Sequence, residues 1–141
     1  MPLTPDQVAR AWFEEVWNQG SEQAIDKMMA PHAAFHGLTP PGAPPIVGPE
    51  GFKPLFRQFR EAFPDIHIDI DQLVCQGDKV ALHCTVTGTH RGGALGVAPT
   101  NRPMKFTGMG MARIENGKIV EAWNAFDFPG MYKQLGIAPP Q

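Results

Sequence analysis

Asn116-Gly117-Lys118-Ile119-Val120-Glu121-Ala122-Trp123-Asn124-Ala125-Phe126-Asp127 is the stretch that decides how the C-terminal half folds. Asn-Gly tolerates the positive φ angles of a type I′ turn, so it predicts a hairpin whose second strand runs out at a lone carboxylate. Trp123, Ala125, Phe126 and Phe128 surround Asp127 with apolar bulk that should limit its access to water. Desolvation disfavours a charged carboxylate and raises its pKa toward the range useful for moving protons, so Asp127 is the first candidate for a general base. Asp127-Phe128-Pro129 also suits the start of a closing helix from Pro129 to Leu135, with Asp127 as its cap. The two roles are compatible.

Counting back from the turn pairs Glu115 with Lys118, Gly110 with Trp123, Gly108 with Ala125 and Phe106 with Asp127. In that register Gly108 and Gly110, with Met109 between them, sit beside the face that carries Trp123 and Asp127. Glycine inside a strand marks a bulge, a close approach by a ligand, or room for a neighbouring ring. A bulge would change which residues share the face.

Upstream, Ile66, Ile68 and Ile70 alternate with His67, Asp69 and Asp71, the pattern of a half-buried strand. Gly77-Asp78 turns the chain into a strand from Val80 to His90, with Val80, Leu82, Cys84 and Val86 on one face and His83, Thr85 and Thr87 on the other. A glycine-rich loop from Arg91 to Arg102 leads to a strand from Lys105 to Glu115. The Gly77-Asp78 turn sets Cys75 opposite Val80 and Cys84 opposite Asp71, too far apart for a disulfide, so both cysteines read as free thiols.

The first half is helical. Thr4-Pro5-Asp6-Gln7 is a helix start with a capping box, and Val8, Ala11, Trp12 and Val16 form its apolar stripe up to Asn18-Gln19-Gly20. Ser21 caps a second helix bearing Ile25, Met28 and Met29, stopped by Pro31. Ala33 to His36 reads as a short extended piece. Gly37 to Pro49, holding Pro40, Pro41, Pro44 and Pro45, is a semi-rigid loop. A third helix runs from Pro49 to Phe63 on Phe52, Leu55, Phe56, Phe59 and Phe63. Three helices followed by antiparallel strands make an α+β chain, with the helices covering the sheet's apolar face. A strongly bent sheet under helices leaves a conical cavity between them.

At 141 residues the chain fits one domain, spanning 1–141. A formal charge of −2 argues against nucleic acid or an anionic membrane as partner. No apolar run approaches the roughly 20 residues of a membrane span. Met1-Pro2-Leu3-Thr4-Pro5-Asp6 does not read as a signal peptide, so a cytoplasmic location is the expectation. No histidine and carboxylate spacing suggests a metal site.

Trp17-Asn18-Gln19-Gly20, Phe35-His36-Gly37, Ala62-Phe63-Pro64-Asp65, Gly77-Asp78-Lys79-Val80, Gly88-Thr89-His90, Gly117 to Trp123 and Gln134-Leu135-Gly136 occur in this order along nearly the whole chain. Together they resemble the SnoaL-like polyketide cyclase family of the nuclear-transport-factor-2-like superfamily. The resemblance implies a cone-shaped α+β barrel with a deep pocket, usually a homodimer or homotetramer. It implies intramolecular aldol ring closure or a related isomerisation of an apolar or aromatic carbonyl compound, with no metal or cofactor. It also implies an acid/base aspartate at the position of Asp127. The same fold hosts non-catalytic binding modules and epoxide hydrolases, which stand as alternatives.

The remaining candidates follow from placement. His36, entering the proline-rich loop, and His90, ending a long strand, could reach a cavity mouth and donate a hydrogen bond to a carbonyl or enolate. Trp12, Phe56 and Trp123 are the expected aromatic lining of an apolar pocket, together with Gly108, Met109 and Gly110.

Overall fold

A computed structural model describes residues 3–40 and 42–138 of the chain. Pro41 of the proline-rich loop and the Pro139-Pro140-Gln141 tail lie outside the described residues. The elements, in order, are α1 (Pro5–Ala11) running on as a π-helix (Trp12–Asn18), α2 (Glu22–Met28), β1 (Met29–His36), β2 (Ile46–Val47), α3 (Gly48–Ala62), β3 (His67–Gln76), β4 (Lys79–Thr89), β5 (Pro103–Glu115), β6 (Lys118–Phe126) and α4 (Phe128–Leu135). The six strands form one open sheet in the order β2-β1-β6-β5-β4-β3. All neighbours are antiparallel except β1 and β6, which run parallel. The helices pack on one face, giving the α+β cone arrangement anticipated from the sequence.

Each element forms for local reasons. The Gln7 side chain accepts the Thr4 N–H at 3.0 Å and holds the start of α1, while the Ser21 hydroxyl accepts the Ala24 N–H at 3.2 Å and caps α2. The first helix departs from expectation after Ala11. Its backbone steps to five-residue spacing, with the Gln19 N–H donating to the Glu14 carbonyl at 2.9 Å. A π-helical turn is wider than an α-turn and is frequent at functional sites. Trp12, Phe13 and Trp17, all on this turn, pack into the core. Asn18 fastens its end, accepting the Ile68 N–H at 2.7 Å and donating to the Ile68 carbonyl at 3.0 Å.

α2 stops at Met28, and Met29 opens a strand four residues longer toward the N-terminus than the extended piece expected from Ala33. Parallel pairing with β6 draws this segment into the sheet despite Pro31. Two strand registers also differ from those counted from the turns. A bulge between Ile70 and Gln72 sets Cys84 opposite Ile70 rather than Asp71, whereas Cys75 lies opposite Val80 as counted. A second bulge between Arg113 and Ile114 shifts the last hairpin by one residue. Glu115 still faces Lys118, but Gly110 pairs with Asn124, Met111 with Trp123 and Gly108 with Phe126. Because side chains alternate, one extra residue exchanges the faces.

The core lies between the helices and the concave face of the sheet. Phe52, Phe63, Ile25, Met28, Met29, Met131 and Leu135 are its largest fully buried hydrophobic members. An aromatic chain runs through it: Trp12 meets Phe35 and Phe52 with ring centroids 5.5 and 5.1 Å apart, and Trp17 meets Phe52 and Phe56 at 5.9 and 5.6 Å. Such tilted and edge-on pairs suit the ring quadrupole.

Candidate functional site

The concave side of the cone holds two cavities of about 60 and 40 Å³ that share Trp12, Phe13, Phe35 and Asn124 in their walls. About 10–15 Å³ of such space suffices for one water, so each lobe has room for a few waters or a small ring. The larger lobe is walled by Trp12, Phe13 and Trp17 from the first helix, Phe52 and Phe59 from α3, and Phe126 and Phe128 around the end of β6. The smaller reaches Val80, Leu82 and Gly110 on the middle strands. Among the described residues Asn124 is the one amide side chain in either wall, and no titratable side chain lines them.

Asn124 owes its place to the bulge at Arg113 and Ile114. Without it Trp123 would face inward; with it the inward positions are Ala122, Asn124 and Phe126, and Trp123 turns out. The Asn124 Nδ2 donates to the His36 backbone carbonyl at 2.9 Å. A carbonyl oxygen only accepts, so this bond identifies which end of the amide is NH2. The other end, Oδ1, accepts from no protein group among the described residues and lies beside Gly110, whose missing Cβ would stand 3.5 Å from it. Gly37 locks the same corner from the other side. Its φ is +86°, and a Cβ there would fall 1.9 Å from the Asn124 backbone oxygen, so only glycine fits.

The residues anticipated from the sequence scatter. Asp127 is exposed rather than shielded by its aromatic neighbours. Phe126 and Phe128 turn inward on either side of it, and its carboxylate accepts the Gly130 N–H at 2.9 Å as the N-cap of α4. His36 lies outside the cavities. Its Nε2 meets the Glu121 carboxylate at 2.7 Å, and its ring stacks on Trp123 with centroids 5.8 Å apart. His90 is fully buried beneath the loop that follows β4, where its Nδ1 accepts the Thr100 N–H at 3.1 Å. It lines neither lobe.

Trp12 borders both lobes. Phe56 is buried against Trp17 and borders neither. Trp123 is on the convex face, and Met109 is 59% exposed there. Gly110 borders the smaller lobe, while Gly108 serves packing: a Cβ on it would fall 2.1 Å from the Phe126 ring. Counting from the turn gives Asn124 the outward phase, so the sequence does not mark it as a site residue. A bulge-shifted count was the one signal that could have found it.

The convex face carries the histidine–carboxylate pairs of the sheet. Asp71 accepts from the Thr85 hydroxyl at 2.6 Å and meets the His83 ring at 3.0 Å, and His67 meets Asp69 at 3.1 Å. The Cys84 thiol, buried on the concave side, is pushed up to about 12 by burial and by the nearby Asp71 charge. Burial also raises the Tyr132 phenol. Among the described residues no three His, Cys, Asp or Glu side chains gather where a metal could sit. No helix among them is long and apolar enough to cross a membrane.

Residues 7–135 match the family described as SnoaL-like polyketide cyclase. No curated protein sequence matches the chain. Among solved structures it is similar to IdmH from Streptomyces antibioticus, a candidate polyketide cyclase, with 32% identity over 96% of this chain and 100% of that one and a TM-score of 0.81. A candidate polyketide cyclase from Bacillus cereus is 30% identical over 95% of this chain and 82% of that one, with a TM-score of 0.78. AclR from Streptomyces galilaeus, a candidate hydroxylase, is 25% identical over 97% of this chain and 83% of that one, with a TM-score of 0.81. The chain belongs to the SnoaL-like polyketide cyclase family.

Proposed function

We propose that this member of the SnoaL-like polyketide cyclase family binds a small, largely apolar carbonyl compound inside the cone. There it promotes ring closure of polyketide-cyclase type, by an intramolecular aldol step or the related isomerisation. The observation that carries the reading is an aromatic-walled cavity in which, among the described residues, Asn124 is the one amide side chain, where its two lobes meet. Such a wall binds apolar surface and leaves one oriented contact for a ligand oxygen. Holding a flexible chain with its reacting carbons close together removes much of the entropic barrier to ring closure.

We assign the ligand contact to Asn124 and the capping of α4 to Asp127. For Asp127 to act as the base, its carboxylate would have to leave the Gly130 N–H and pass between Phe126 and Phe128. The test is a synthetic linear polyketone ester that cyclises spontaneously to several products. The wild-type protein is expected to steer it to one ring product, and Val86→Trp, which fills the larger lobe, is expected to lose that control. Identical product ratios with and without protein would count against ring-closing activity. Loss of turnover in a well-folded Asp127→Asn would return the base role to Asp127.

A second reading, binding without chemistry, is favoured by the lack of any titratable group in the described cavity walls. It expects saturable ligand binding with an unchanged product ratio. Epoxide hydrolysis, which asks for carboxylates around a held water, has no support in these walls.

We further propose that the convex face receives a second copy of the chain. Val74, Ala81, Met111 and Trp123 stand in one row across four strands, with Val74 67% and Met111 40% exposed. Light scattering on the wild type is expected to give a dimer or tetramer.

A further inference from the structure

We infer that the cavity selects compounds that present a hydroxyl, as an enol or a phenol, over those presenting only a ketone or ether oxygen, and that the hydroxyl donates to Oδ1 of Asn124. The inference rests on the ligand-binding reading above and narrows the ligand class.

The argument is one of donors and acceptors. The Asn124 amide has two NH2 hydrogens and one carbonyl oxygen. Its nitrogen is committed to the His36 carbonyl at 2.9 Å, so rotating the amide would set two carbonyl oxygens against each other. The amide is thus held in one orientation by a group that is itself fixed. His36 is the last residue of β1, and Gly37 beyond it admits no side chain at this corner. Oδ1 is left without a protein donor among the described residues, beside the open side of Gly110, which borders the smaller lobe, while Asn124 as a residue borders both. Among the described residues the other wall residues carry no amide, hydroxyl or charged side chain; the Trp12 and Trp17 indole N–H groups can only donate, so Asn124 supplies the one side-chain oxygen acceptor. The cavity therefore offers a ligand oxygen a fixed acceptor.

A ketone or ether oxygen placed against that acceptor faces lone pair against lone pair. An enol or phenol of the same shape makes a hydrogen bond. In a chain of alternating carbonyls the two tautomers interconvert readily, so a fixed acceptor would favour the enol at one position and thereby set which carbon is nucleophilic. No proton transfer to or from the protein is needed for this choice.

The test uses two probes of nearly equal size, 4-ethylphenol and 4-methylanisole, titrated by the fluorescence of the cavity-lining tryptophans. The wild-type protein is expected to bind the phenol about five- to tenfold more tightly, the range of one net hydrogen bond. Asn124→Leu is expected to bind both with equal affinity. Equal affinities in the wild type, or a phenol preference that survives in Asn124→Leu, would overturn the inference while leaving the cavity reading intact. Failure of both probes to bind would overturn both. Should Asn124→Leu not fold, the side-chain amide NMR signals of Asn124 in the wild type decide the matter. They are expected to move with 4-ethylphenol and not with 4-methylanisole, and equal movement with both would overturn the inference.

Discussion

The two faces of the sheet divide chemistry between them in an unexpected way. The convex face carries the His36–Glu121, His83–Asp71 and His67–Asp69 pairs, all at least partly exposed. The concave face, where a ligand has room, offers an amide and a ring of aromatics. Side chains that look chemically active in the sequence therefore lie mostly where water already screens them. Exposed ion pairs of that kind contribute little to stability. The lesson is that residue type alone ranks these positions wrongly. The phase of each strand decides which face a residue serves.

That division can be broken or sharpened by substitution. The largest effect is expected inside: Phe52→Ala, which empties a fully buried site touching Trp12, Trp17 and Phe35, should cost about 3–5 kcal/mol in denaturant unfolding. A loss under 1 kcal/mol would mean that the aromatic layer is loosely packed. Gly108→Ala should cost about 1–3 kcal/mol, because the added methyl meets the Phe126 ring. The same change at Gly110 meets nothing closer than 3.5 Å and should be milder. At the seam between the faces, Asp127→Ala should lose about 1 kcal/mol as a missing cap, whereas Asp127→Asn, which caps equally well, should lose only tenths. Met109→Lys on the convex face should leave monomer stability within about 0.5 kcal/mol. If two copies meet there, it should shift the association state seen by light scattering.

Thiol labelling reads the same contrast. At pH 8, Cys75, exposed on β3, should react with a disulfide reagent within minutes. Cys84, buried and with its thiol held near 12, should react only after unfolding. Two fast equivalents in the native protein would show that the concave side is open. The smallest expected effect is on acid stability. Burial works to raise the Asp65 carboxyl, but the Thr89 N–H at 2.7 Å and hydroxyl at 2.8 Å outweigh it, and the group is held below the usual range. A depressed folded value means that this contact stabilises above the ordinary carboxylate pKa and fades as pH falls through the folded one. Asp65→Ala should slightly flatten the acid limb of a Tm-against-pH curve.

The architecture was legible because long-range features were written locally. Asn116 and Gly117 both adopt positive φ, 53° and 77°, as the turn required, and the Phe52, Phe56, Phe59 stripe became the buried side of α3. The site was less legible. Each bulge adds one residue to one strand; in the last hairpin that residue is Val120, and nothing in Ile119-Val120-Glu121 announces it, yet it exchanges Trp123 for Asn124 at the cavity wall. The π-turn was hidden for a similar reason: Trp12 and Trp17 are five apart, a spacing that a 3.6-residue period reads as opposite faces. Asp127 looked buried because its neighbours are aromatic, but Phe126 and Phe128 fold inward and leave the carboxylate between them in water.

The open sheet has two free borders, and they are defended differently. β2 presents only Ile46 and Val47, too short a rail for another chain to grip. β3 is ten residues long, but it is kinked between Ile70 and Gln72 and bears His67, Asp69 and Asp71. Irregularity and charge along an edge discourage strand-by-strand growth into fibrils. The kink that spoiled the simple register of the first hairpin thus helps keep the protein from polymerising through its longest free edge.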